Sequence, residues 1–279
     1  METDARPAGL PWQPLTFGGV AGFASGPFRR LFAVALFVAA FAAASVVVLF
    51  YLAWEPAVRQ AIARMPEEGA IRAGRLDWIG PTPVRLCEGK FLSIIVDSAG
   101  AGELGHAADL QCELGRTELR LRSILGSVGI PYPTRWVIEL NRRVLEPWWG
   151  AWHLVVAAGL AAGTALGLLV TWGILGALYA MPAQVIAVCA DRQVGVIGAW
   201  RLAVASLLPG ALLMGAAIFA YGFQQLNLIQ LLAAWLVHVA LPCIYVVVGP
   251  LCLPKRQAPS GSVSPKRNPF REPADGRSA

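Results

Sequence analysis

Between Gly150 and Ala190 the chain carries no Asp, Glu, Lys or Arg. A second charge-free run, LFAVALFVAAFAAASVVVLFYLAW, covers residues 31–54. A bilayer core about 30 Å thick is crossed by roughly 20 apolar helical residues, and a soluble domain seldom contains such runs. These two stretches constrain the chain more than any motif in it. Only 14% of its residues are charged and its mean hydropathy is +0.57, whereas soluble domains carry about 25% charged residues. The composition is that of an integral membrane protein.

Residues 31–54 follow Arg29-Arg30 and end in Trp54. A signal peptide has an apolar region of only about 7–15 residues, so this run predicts a retained helix. The 150–190 run exceeds one crossing and admits two readings. In one, a helix covers about 152–178 and Met181-Pro182 opens an interfacial or re-entrant piece over 181–199. In the other, two short spans meet near Gly173. The second would place the basic tail outside, against the tendency of Lys and Arg to stay on the cytoplasmic side. The first reading is therefore preferred.

Two further spans are expected at 200–223 and 228–248, with Pro209 and Pro242 inside them. The expected fold class is an α-helical membrane bundle of four spans. A small extracytoplasmic α+β, mostly β, domain is inserted between spans 1 and 2. The organisation is a cytoplasmic segment 1–30, a transmembrane helix 31–54, an extracytoplasmic domain 55–148, a helical region 149–253 and a disordered basic cytoplasmic tail 254–279. That tail holds six Lys or Arg against Glu272 and Asp275, while residues 55–148 carry twelve basic and twelve acidic side chains. Positive charge thus flanks the apolar runs and is not gathered on a domain, which disfavours nucleic acid as a partner and favours the lipid bilayer. The arginine-rich composition points to a bacterial source, and hence to the bacterial cytoplasmic (inner) membrane.

Gly159, Gly163 and Gly167 recur every four residues and mark a face for close helix packing, within this chain or against a second copy. His238 lies mid-span. With Pro209 and Pro242 it is a candidate intramembrane functional site, because ionisable groups at that depth are costly. No acidic residue accompanies it within a span, so a carboxylate relay is not expected.

Within 55–148, Val58, Ile62 and Met65 have helical spacing, and short strand-like runs follow. In LQCEL and TELRLRSI, alternation places Leu110, Cys112, Leu114, Leu119 and Leu121 on buried faces. FLSIIVDSAG ends a strand in Asp97, which reads as a turn residue capping its own backbone. A hydrolase or metal reading would need Asp97, His106 and Asp109 to converge. Cys87 and Cys112 are candidates for a disulfide in an exported domain. Cys112 shares parity with the buried leucines and Cys87 opposes Val84 and Leu86, which leaves the pairing open. No GxSxG, HExxH, CxxC or phosphate-loop signature is present, so no catalytic residue, metal or cofactor is assigned.

MPEEGAIRAGRL, then FLSIIVDSAG, then ILGSVGIPYP, then WRLAVASLLPGALL follow one another in the order of a bacterial membrane family. Over residues 30–250 the chain resembles the DUF1189 group, of which some members are named as maltodextrin-utilisation accessory proteins. The resemblance implies the architecture above and no catalytic residues. The glycine repeat and the arginine-rich tail depart from it. The expected function is that of a non-enzymatic accessory or scaffold whose outer domain binds a protein or envelope partner, with a homo-oligomer also compatible. The alternative is a transporter subunit or small permease with a pathway at the proline-broken helices.

Overall fold

The computed structural model describes residues 13–100, 105 and 108–256. His106 and the tail beyond Arg256 lie outside them. Four helices are long and apolar enough to cross a membrane, over Phe28–Ala63, Arg142–Cys189, Val196–Gly222 and Leu228–Cys252. A β-rich region lies between the first and the second.

A short helix α1 (Phe17–Gly22) is capped by Thr16, whose hydroxyl accepts the Gly19 N–H. Helix α2 (Phe28–Leu49) passes through a π-helical turn (Phe50–Trp54) into α3 (Glu55–Ala63) without a break. The first helix therefore continues beyond Trp54 into the region expected to be outer domain. Helix α4 spans Arg142–Cys189, about 72 Å at 1.5 Å per residue. It neither stops at Leu178 nor divides near Gly173. The expected interfacial piece 181–199 is instead the end of α4, a turn, and the start of α5 (Val196–Gly222). Pro182 removes one backbone bond, but Ala183 and Ala187 beyond it are buried in the main core and carry the helix through. Helix α6 (Leu228–Val248) starts at a capping box between Asn227 and Gln230.

Helix α5 is the centre of the bundle. It packs against α2, α4 and α6, and every residue from Leu202 to Ala211 is buried. Glycines permit the close approaches. A Cβ on Gly176 of α4 would overlap the Val204 side chain, and one on Gly210 would lie 2.8 Å from the His238 carbonyl oxygen. By contrast, nothing lies within 4 Å of the Cβ position at Gly159, Gly163 or Gly167. The glycine repeat faces away from the other described helices of this chain, so of the two partners its spacing allowed, the one within the chain is not met among the described residues. The inward face of α4 is set by Ala157, Trp172, Gly176, Ala180, Ala183 and Ala187.

The β region holds two sheets. Strands β1 (Gly69–Arg72), β2 (Arg75–Trp78) and β8 (Ile138–Glu139) form one, in the order β2-β1-β8. Strands β3 (Val84–Glu88), β4 (Leu92–Val96), β5 (Leu110–Leu114), β6 (Glu118–Ser123) and β7 (Gly126–Pro131) form the other, in chain order. Only the β4–β5 pair is parallel. One face of the larger sheet, with Leu92, Val96 and Cys87, closes over Ala57 and Ala61 of α3 and Ile71 and Leu76 of the smaller sheet.

Two sequence expectations change here. Leu110, Cys112 and Leu114 are only half-buried, while Gln111 and Glu113 between them are buried. Alternation assigns the faces of β5 correctly, but both faces are covered. A β-bulge between Arg85 and Cys87 also shifts the parity of β3. It buries Leu86 and Cys87 together and aligns Cys87 with Ile94.

Candidate functional site

Asp97 and Asp109 sit at opposite ends of the parallel β4–β5 pair. The Asp97 N–H donates to the Leu114 carbonyl, whereas Asp109 precedes Leu110 at the other end. At about 3.3 Å per residue the two are about 20 Å apart, so they cannot form one hydrolytic or metal site. Asp97 Oδ1 accepts the Gly100 N–H at 2.8 Å, the self-capping turn that its sequence context predicts. His106 lies outside the described residues. Among those residues, no three His, Cys, Asp or Glu side chains cluster to hold a metal ion.

Cys87 and Cys112 are free thiols. Both align with Ile94, one on each side of β4. Two inter-strand spacings separate their backbones by about 10 Å, beyond the roughly 7 Å that a disulfide can bridge. The expected candidate disulfide is therefore not formed. Burial pushes the Cys112 thiol up to about 11 and raises that of Cys87 as well.

The polar face of the larger sheet holds an ion-pair network. Glu113 has a side chain 4% exposed and receives Arg120 on one carboxylate oxygen and Arg122 on the other, each at 3.2 Å. Arg120 also binds Glu118 at 2.6 Å. The hydrogen bonds that Arg120 donates to Glu118, then the charges of Glu113, Glu118 and Asp97, raise the Arg120 guanidinium above its usual range. Both carboxylate oxygens of Glu113 are thus taken up by guanidinium groups within the sheet. The network fastens β5 to β6.

A side-chain contact joins the β domain to the bundle beyond the chain connections. Tyr221, in the last turn of α5, donates to Asp109 Oδ2 at 2.6 Å. Phe91 meets the same ring edge-on at 4.8 Å and packs with Ala53, surrounded by Leu49, Leu226, Leu228 and Leu231. Sequence reading missed Phe91 and Tyr221. Their signal was faint: one aromatic beside a hairpin turn and another at a helix end.

No family model, curated protein or solved structure matches this chain. Its function must be argued from its own surfaces.

Among the helical candidates, Pro209 is buried inside α5 and Pro242 inside α6. His238 Nδ1 is buried without a hydrogen-bond partner, against Gly210. His153 donates from Nδ1 to the Gly150 and Trp149 carbonyls of its own helix. The buried stretch of α5 has one polar side chain, Ser206, and it bonds back to the Leu202 carbonyl. A concavity of about 650 Å³ lies at the end of the bundle away from the β domain, between α1, the α4–α5 turn and Leu253. It is lined by backbone and small residues such as Gly18, Ser25 and Gly195, with no charged group among the described residues that line it. Beside it Arg192 donates to the Leu253 carbonyl, and Arg201 to that of Gly26.

Strand β7 is open to solvent. All six of its residues are exposed, and it forms one edge of the larger sheet, β3 forming the other. Val128 is 62% and Ile130 47% exposed. Edge strands carry unpaired backbone donors and acceptors and are normally blunted by charge, proline or a bulge. Here only the terminal Pro131 serves that role.

Proposed function

We propose that the chain is a non-enzymatic, multi-pass protein of the bacterial cytoplasmic membrane whose β domain, outside the membrane, receives an extended segment of a partner protein along β7. The exposed apolar edge carries this reading. Strand addition to a free edge draws affinity from main-chain hydrogen bonds and specificity from alternate side chains, and Val128 and Ile130 are alternate residues on one face. Helix α3, the Asp109–Tyr221 bond and Phe91 would hold that edge in a set orientation above the bundle.

Charge supports both termini lying inside. Arg29, Arg30, Arg192, Arg201, Lys255 and Arg256 gather at the end of the bundle remote from the β domain, with Asp191 the acidic residue among the described residues there. The Trp148, Trp149 and Trp152 cluster lies at the other end, where Trp149 also packs near Phe50, as interfacial aromatics do. Kinship with the DUF1189 group belongs to the same proposal and rests on the order of features. The permease alternative has less support, because the heart of α5 is apolar and closely packed. A homo-oligomer through Gly159, Gly163 and Gly167 stays within the proposal, since that face is open.

Two measurements test the reading. An impermeant maleimide applied to intact cells should label a cysteine placed at Arg116 and spare one placed at Gly195. Labelling of both, or of Gly195 alone, overturns the orientation. A photo-crosslinking residue at Val128 should then give one discrete protein adduct in native membranes, and Ile130→Lys should abolish it. No adduct at Val128, or one insensitive to Ile130→Lys, overturns the strand-addition reading.

A further inference from the structure

The register of the larger sheet places its loops. Leu92 pairs with Leu110, Leu110 with Ser123, and Ser123 with Gly126, so four strands end in one row. At the start of this row Phe91, 7% exposed, is pressed against Tyr221 at the end of α5. That edge of the sheet therefore faces the bundle. Following the row for two to three strand spacings, about 10–14 Å, leads to the β6–β7 hairpin, whose two-residue loop is Ile124-Leu125.

These are unusual residues for such a loop. Two-residue hairpin loops favour Asn, Asp and Gly, which suit the tight backbone. Ile124 and Leu125 gain nothing from the fold in return, being 58% and 78% exposed. The loop is built by other means, with the Leu125 N–H bound to Ser123 Oγ and Gly126 at φ +128°. At the opposite end of the same strands, the β5–β6 turn is Gly115-Arg116-Thr117, polar and glycine-bearing as turn chemistry expects. Bulky apolar residues thus occupy the turn that faces the bundle end and are missing from the turn that faces away. Lys90 lies in the same row, its ammonium 5.6 Å from the centre of the Phe91 ring.

We infer that the Ile124-Leu125 hairpin tip dips into the headgroup and upper acyl region of the membrane leaflet beside the bundle, making the β domain a second, peripheral membrane contact. The inference rests on the proposal that the helices cross a bilayer. An apolar tip at the level where the helices leave the membrane is covered by lipid with no further partner. With Phe91 it gives the sheet two footholds, which limits how far the domain can tilt and so sets the height of β7.

The test uses the full chain in vesicles of phosphatidylcholine and phosphatidylglycerol. Cys189, Cys243 and Cys252 are replaced by Ser, and the buried Cys87 and the half-buried Cys112 are kept. Single cysteines at Leu125, Arg116 and Val170 carry an environment-sensitive fluorophore. Position 170 is on the exposed face of α4 and reports membrane crossing by itself. The fluorophore at 125 should be quenched by lipids labelled high on the acyl chain, and its quenching by aqueous iodide should fall at least about threefold below that at 116. If 170 is quenched from the lipid while 125 behaves like 116, the hairpin inference fails and the crossing helices stand. If 170 is also quenched only from water, both fail. If 125 is shielded from both quenchers and cross-links between copies, a second copy covers the tip and the lipid assignment is overturned.

Discussion

The Tyr221 hydroxyl donates to the Asp109 carboxylate across 2.6 Å, joining the last turn of α5 to the residue that opens β5. The two are 112 positions apart in sequence. Asp109 is held in turn, because its N–H donates to the Lys90 carbonyl at 2.9 Å. Through this contact the bundle grips the bundle-facing edge of the larger sheet.

Tyr221→Phe removes the donor and keeps the ring against Phe91. A hydrogen bond to a charged acceptor contributes about 1.5–3 kcal/mol, and partial exposure of this one places the expected loss at about 1–2 kcal/mol. Amides in 89–92 and 109–111 should exchange faster with solvent while those of α5 stay protected. Unchanged exchange at both segments would mean that the link carries no load.

The glycines of α4 should separate by face. Gly176→Ala drives a methyl into Val204 and should cost about 1–3 kcal/mol of bundle stability, as overpacking does. Gly163→Ala meets nothing within 4 Å and should leave the thermal midpoint of the detergent-solubilised monomer unchanged or slightly raised. If Gly163→Ala instead breaks an oligomer on a sizing column, the open glycine face is covered by a second copy.

Glu113→Ala strands two guanidinium groups on the covered face of β5. Breaking a buried ion pair costs about 3–5 kcal/mol. Arg120 and Arg122 are 34% and 29% exposed and can rehydrate, so about 2–3 kcal/mol is expected. Glu113→Gln should cost less, since it still accepts hydrogen bonds. Denaturant unfolding followed through the β domain measures both.

Cys87 and Cys112 should remain reduced when the folded protein meets an oxidant, with no intramolecular bridge on a non-reducing gel. Cys112 should also resist alkylation at pH 8. Its pKa is raised from 9.0 to about 11 by burial, with the neighbouring Cys87 adding to the shift. Only the unfolded thiol ionises between those values. The contribution of Cys112 to stability is therefore full below pH 9 and is lost as the pH rises towards 11. Cys112→Ala should flatten that slope, and an unchanged slope would show that burial of this thiol is not its source.

Much of the architecture was legible in the residues themselves. Charge-free runs demand helices wherever they occur, because length and apolarity are local properties. The turn at Asp97 was equally local, since its carboxylate caps a backbone N–H three residues on. The candidate site was far less legible. Phe91, Asp109 and Tyr221 come together only when the sheet row meets the end of α5, and no spacing encodes that meeting.

Where interactions depend on what lies opposite, the tertiary structure decided. A glycine repeat specifies a narrow helix face and does not name its neighbour; Gly176 received the close contact, while Gly159, Gly163 and Gly167 faced outward. Strand alternation separates two faces but does not say that both will be covered, so Glu113 is buried among arginines that alternation placed in solvent. One extra residue in a bulge moved Cys87 to the face of Ile94, and strand order then put β4 between the two cysteines. By itself the sequence determined four apolar helices with a β region after the first, because periodicity and hydropathy are carried by neighbouring residues. Packing partners, burial of polar faces and strand order were decided only in three dimensions, because they depend on residues far apart along the chain.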